Sequence, residues 1–141
     1  MKVSEIMSRD VRIASPDQSI ADVARSMSDA EIGFMPVGEH GRLVGTITDR
    51  DLVVRALADG LGGDTAVRQI MSQDVKYCFE DEEVEAVARN MGQLQVRRLP
   101  VVNRDKRLTG VVSIGDAAVA EAGSAGAALN KVARPGGQHA Q

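Results

Sequence analysis

Val3-Ser-Glu-Ile-Met-Ser-Arg-Asp-Val11 returns as Val67-Arg-Gln-Ile-Met-Ser-Gln-Asp-Val75, an offset of 67 − 3 = 64 residues in a chain of 141. The register holds well past this opening. Ile20, Val23, Ala24 and Met27 map onto Val84, Val87, Ala88 and Met91, and Met35-Pro-Val37 maps onto Leu99-Pro-Val101. Between 3 and 37 the two copies agree at 13 of 35 positions, which chance does not supply, so the chain is an internal duplication. After one extra residue in the second copy, Leu43-Val-Gly-Thr-Ile-Thr48 realigns with Leu108-Thr-Gly-Val-Val-Ser113 at an offset of 65, and Asp51 meets Asp116.

Each copy reads as β-α-β-β-α. A short strand (about 11–14 and 75–79) leads into a helix whose apolar residues recur at i, i+3, i+4 and i+7, from Ile20 to Met27 and from Val84 to Met91. In the first copy Ser15-Pro-Asp-Gln18 reads as a capping box with proline at the first helical position. Two strands follow, about 34–37 and 43–47, then 98–102 and 108–112, joined by the polar turns Glu39-His-Gly-Arg42 and Asn103-Arg-Asp-Lys106. A second helix begins near Asp49 or Ile114. Units of this size are marginal alone, so the expected fold is α+β, a tandem of two βαββα units packed sheet to sheet. The expected domains are repeat 1 over 1–59, a Gly-rich linker over 60–66, repeat 2 over 67–122, and a tail over 123–141. That tail, rich in Gly and Ala, reads as mobile, with at most a short helix near 124–133.

Composition narrows the function. A net charge of −3 gives no field favouring nucleic acid or an anionic membrane. Two Phe, one Tyr and no Trp leave no stacking platform for single strands. No apolar run approaches the roughly 20 residues of a membrane span, and Glu5 stands where a secretory signal would be apolar. The lone cysteine, Cys78, points to a reducing compartment, so a cytoplasmic setting is expected.

Catalytic constellations are missing. His40 falls in a polar turn and His139 in the tail, and neither has a Cys or Asp partner nearby in sequence. Cys78 reads as a buried inert thiol, and Glu80-Asp-Glu-Glu83 as an acidic first helical turn that suits the helix dipole. No metal-ligand spacing occurs, so no catalytic residue and no metal ligand is expected.

Two elements stand out: Gly45-Thr-Ile-Thr-Asp-Arg-Asp51 and Gly110-Val-Val-Ser-Ile-Gly-Asp116. In each, an apolar strand runs into a hydroxyl residue, and an Asp follows three positions later at a helix start. This pattern caps any helix without help from a ligand. It also suits a ribose, because a carboxylate can accept hydrogen bonds from both hydroxyls of the sugar, with Thr48 or Ser113 beside it. Free N–H groups at the helix start would favour phosphate, and Ile47 and Val111 are strand residues able to wall a slot for adenine. Arg97-Arg98, immediately before Leu99-Pro-Val-Val102, is either a solvated strand edge or a phosphate clamp. Gly33-Phe34, without charge, stands there in the first copy, where Arg50 between Asp49 and Asp51 could supply charge instead, so two unequal sites are expected.

The residues Ile6-Met, Ile70-Met, Phe34-Met-Pro-Val, Arg98-Leu-Pro-Val-Val, Gly45…Thr48…Asp51 and Gly110…Ser113…Asp116 resemble those of paired cystathionine-β-synthase (CBS) domains, the Bateman module, in its small stand-alone bacterial form. The resemblance spans about residues 1–122. It implies pseudo-twofold packing with two clefts between the repeats that bind AMP, ADP or ATP, or in some members S-adenosylmethionine or NAD. It places Asp51 and Asp116 on ribose and Arg97-Arg98 near phosphate. Ala14, Ser15 and Ile20 would line one base pocket, and Tyr77, Cys78 and Val84 the other. The nucleotide-contacting set is thus Ala14, Ser15, Ile20, Phe34, Thr48, Arg50 and Asp51, with Tyr77, Cys78, Val84, Arg97, Arg98, Val111, Ser113 and Asp116. The resemblance also implies a homodimer, through the helical faces of Leu52, Val53, Ala56 and Leu57 and of Ala117, Val119 and Ala120.

The function expected is a non-catalytic regulatory sensor of adenosine nucleotides that needs no cofactor and signals to a separate, unidentified protein. A ligand-free assembly adaptor with degenerate clefts is the alternative.

Overall fold

The computed structural model describes residues 1–120; the expected tail over 123–141, with its short helix and His139, lies outside the described residues. The chain divides into two compact units, one running Val11–Val75 and the other joining Met1–Asp10 to the chain from Lys76 onward. The units are therefore not the repeats themselves. Each repeat's opening, Ile6-Met-Ser8 or Ile70-Met-Ser72, belongs with the body of the other copy.

In the unit Val11–Val75, α1 (Ile20–Ala30) turns Ile20, Val23 and Met27 into the core. Next, β1 (Phe34–Glu39) pairs antiparallel with β2 (Arg42–Thr48), setting Met35 opposite Ile47 and Val37 opposite Gly45. His40 and Gly41, with φ of 55° and 79°, form the two-residue left-handed loop that matches strand twist. Ala14 adds a parallel bridge to Val37, and Ser72 an antiparallel one to Thr46, so four segments lie side by side. Then α2 starts as Asp49–Asp51 and continues as π-helical turns over Leu52–Leu57. A 3-10 turn, Val67–Gln69, precedes Ile70 and Met71, which complete the core with Ala56.

The other unit repeats this plan. Here β3 (Cys78–Phe79) runs parallel to β4 (Arg98–Val102), which pairs antiparallel with β5 (Leu108–Ser113). Between β3 and β4, α3 (Val84–Leu94) covers one face with Val84, Val87, Ala88 and Met91, and α4 (Ile114–Ala120) follows β5. Ser8 bridges Val111 as Ser72 bridges Thr46, and Val3 and Met7 enter this core.

The shared Ile-Met-Ser and strand glycine of each repeat are two halves of one contact. A Cβ at Gly110 would stand 2.6 Å from the Ser8 carbonyl oxygen and 2.9 Å from Met7 Sδ. At Gly45 it would stand 2.9 Å from the Ser72 oxygen and 2.8 Å from Met71 Sδ. Only glycine lets the incoming segment lie that close.

Three sequence expectations need correction. The strand expected at 11–14 is one bridging residue, Ala14, because Arg12 and Ile13 face solvent, and the strand expected at 75–79 shortens to Cys78–Phe79. Ser15 and Gln18 do bond, the Ser15 N–H donating to Gln18 Oε1 at 3.1 Å, but they close a turn before the helix. Phe79 and Glu82 repeat that turn. The true N-cap of α1 is Ser19, which accepts from Asp22 N–H, while Ile20 and Ala21 donate to the carbonyls of Thr65 and Gly63. Finally, Ala56 and Ala117 do not belong to exposed helical faces; each is 1% exposed and lies in its unit's core, whereas Val53, Leu57 and Val119 are open.

Candidate functional site

Both hydroxyl-to-Asp elements form complete capping boxes. Thr48 Oγ1 accepts from Asp51 N–H at 3.1 Å, and Asp51 Oδ2 accepts from Thr48 N–H at 2.9 Å. Ser113 Oγ accepts from Asp116 N–H at 3.0 Å, and Asp116 Oδ2 accepts from Ser113 N–H at 2.9 Å. Each box uses one carboxylate oxygen and leaves the other. Asp51 Oδ1 lies 3.7 Å from Arg55 Nε, whereas no partner reaches Asp116 Oδ1 among the described residues.

Strand alternation sorts the remaining candidates. Met35, Val37 and Ile47 point into one core, and Leu99, Val101 and Val112 into the other. Phe34 and Thr48, cross-strand partners, therefore share the opposite face of their sheet, as do Arg98 and Ser113. Ile114 N–H donates to the Arg97 carbonyl at 2.8 Å, which holds Arg97-Arg98 at the same sheet end as Ser113 and Asp116. Both arginines are exposed, and neither guanidinium has a partner among the described residues. In the unit Val11–Val75 the matching bond runs from Asp49 N–H to the Gly33 carbonyl at 3.0 Å. There the Asp49 carboxylate covers Gly33 so closely that a Cβ would fall 2.6 Å from its Oδ2. Arg50 is exposed, and its N–H donates to Asp49 Oδ1.

Ile47 is not a wall residue. It is 0% exposed within the core, while Val111 lies on the opposite face across from Pro100; the residue aligned with Val111 is Thr46, a polar neighbour. Ala14, Ile20, Cys78 and Val84 also belong to the two cores. Burial, seconded by Glu82, pushes the Cys78 thiol up to about 12. Ser15 is exposed in its turn. Tyr77, 38% exposed, meets Phe79 edge-on at 5.7 Å, and Phe79 lies 4.1 Å beneath the Arg104 guanidinium, itself paired with Asp81. Sequence reasoning missed Arg55; its signal was the i, i+4 spacing from Asp51.

Among the described residues no three His, Cys, Asp or Glu side chains gather to hold a metal ion, and no helix is long and apolar enough to cross a membrane.

The CBS domain family model matches residues 3–57 and 67–123. CBS domain-containing protein YhcV of Bacillus subtilis is 37% identical over 132 residues, 92% of this chain and 94% of its own length. Inosine-5′-monophosphate dehydrogenase of Methanocaldococcus jannaschii is 34% identical over 82% of this chain but only 22% of that enzyme. Among solved structures, the CBS domain pair of protein MJ0100 in complex with 5′-methylthioadenosine and S-adenosyl-L-methionine superposes with a TM-score of 0.74. Its identity is 31%, covering 87% of this chain and 97% of that one. Hypoxic Response Protein I, solved with two coordinated zinc ions, gives a TM-score of 0.76 at 30% identity, covering 84% and 98%.

Proposed function

The chain belongs to the CBS domain family, as a tandem pair of repeats, and on that premise we propose that it is a non-catalytic regulatory module binding an adenosine-containing ligand. The observation that carries this reading is the repeated site geometry. In each unit a Thr or Ser and an Asp are locked together at one sheet end, with a carboxylate oxygen left over. Phe34 flanks one pair and Arg98 the other. The adenosyl ligands of the MJ0100 pair support the ligand class. The small share of a dehydrogenase that matches supports a module separable from catalysis.

Asp116 and Asp51 take ribose hydroxyls in this reading, with Ser113 and Thr48 beside them. Arg97 and Arg98, unpaired among the described residues, take phosphate, so AMP, ADP or ATP bind best at Asp116. The module needs no cofactor, works in the cytoplasm and passes its signal to a separate protein. Val53 and Leu57, 56% and 72% exposed, fit a homodimer contact.

One observation favours the adaptor reading. Closed capping boxes account for Thr48, Asp51, Ser113 and Asp116 without any ligand. Thermal melting with AMP, ATP, NAD and S-adenosylmethionine separates the two. A ligand at a hundredfold excess over its Kd adds about 2.7 kcal/mol and raises Tm by several degrees. A flat melting temperature for all four at millimolar concentration leaves the adaptor.

A further inference from the structure

The boxes at Asp51 and Asp116 match, but what surrounds the leftover oxygens does not. Arg55, four residues beyond Asp51, sets Nε 3.7 Å from Asp51 Oδ1 and donates from Nη1 to the Ile70 carbonyl at 3.4 Å. Its side chain is 54% exposed while that of Asp51 is 17% exposed, so the charge leans from solvent over a largely covered carboxylate. The stretch carrying it, Leu52–Leu57, is π-helical, a rare geometry that concentrates at functional sites. In the other unit the aligned residue, at 55 + 65 = 120, is Ala120, which has no charge to offer Asp116.

We propose that Arg55 is a built-in occupant of the Asp51 site, holding the one carboxylate oxygen that a ligand hydroxyl needs, so that the Asp51 unit fills after the Asp116 unit. This rests on reading both aspartates as hydroxyl-binding groups. A vicinal diol entering at Asp51 takes Oδ1 from Arg55, which keeps its bond to Ile70. Binding therefore displaces an ion pair at Asp51 and, among the described residues, displaces none at Asp116. A pair this exposed is worth about two- to fivefold in affinity.

The test is calorimetric titration with AMP in an Asp116→Asn background, which keeps an oxygen for the Ser113 N–H and makes the heat report the Asp51 unit. Adding Arg55→Met, which keeps the apolar stem, is expected to tighten AMP two- to fivefold; unchanged or weaker binding overturns the inference. A ligand-free arm follows urea unfolding of Asp51→Asn, Arg55→Met and their double variant. Non-additive losses support the pair, and additive ones overturn it. Wild-type protein that takes none of AMP, ATP, NAD and S-adenosylmethionine removes the ligand reading itself, and the inference with it. Wild-type binding without tightening in Arg55→Met removes the inference alone.

Discussion

Asp116 and Asp51 each divide one carboxylate between a backbone N–H and a second oxygen, and this division makes the cap compatible with the proposed ligand site. Because the Ser113 hydroxyl caps α4, Ser113→Ala is expected to cost about 1 kcal/mol in urea unfolding; no loss would remove the cap. Cys78 carries a pH signature. Its folded thiol titrates near 12 against an ordinary 9.0, so above pH 9 the unfolded chain loses a proton that the folded chain keeps. Stability is then complete below pH 9 and falls as pH rises toward 12. Measured between pH 8 and 11, Cys78→Ala should flatten that fall; an unchanged slope would assign it to other groups. At this scale the Thr48-x-x-Asp51 box was legible, because its partners are three residues apart. That Ile47 and Val111 face opposite ways was missed, although Ile47 stands one residue before Thr48 and Val111 two before Ser113, so strand alternation sets them on opposite faces.

The hairpins were the most legible elements, since alternation and turn residues are local signals, and β4 runs over the residues expected. The helices after β2 and β5 begin at Asp49 and Ile114 as expected, but the start of α1 was read less well. α1 begins past the Ser15–Gln18 turn because Thr65 and Gly63, more than forty residues away, satisfy its first N–H groups, and no local pattern encodes that. Strand glycines give the test at this level. Gly110→Ala drives a methyl into the Ser8 carbonyl and should cost about 1–3 kcal/mol. Gly115→Ala, whose Cβ meets only Ser113 Oγ at 3.5 Å among the described residues, should be neutral or stabilising by up to about 1 kcal/mol. Equal losses for the two in urea unfolding would contradict the close-approach account.

Across the whole molecule, the duplication was plain in the sequence, but the exchange of repeat openings was not. Ser8 pairs with Val111, 111 − 8 = 103 residues away, and a repeat alignment says nothing about which body each opening joins. The same alignment did expose the inequality of the two units: Arg97-Arg98 against Gly33-Phe34, to which the structure adds Asp49 over Gly33 and Arg55 beside Asp51. Calorimetric titration of AMP into wild type, Asp116→Ala and Asp51→Ala measures that inequality directly. The account predicts binding by wild type, a large loss in Asp116→Ala and a smaller one in Asp51→Ala. Equal losses in the two variants would contradict it.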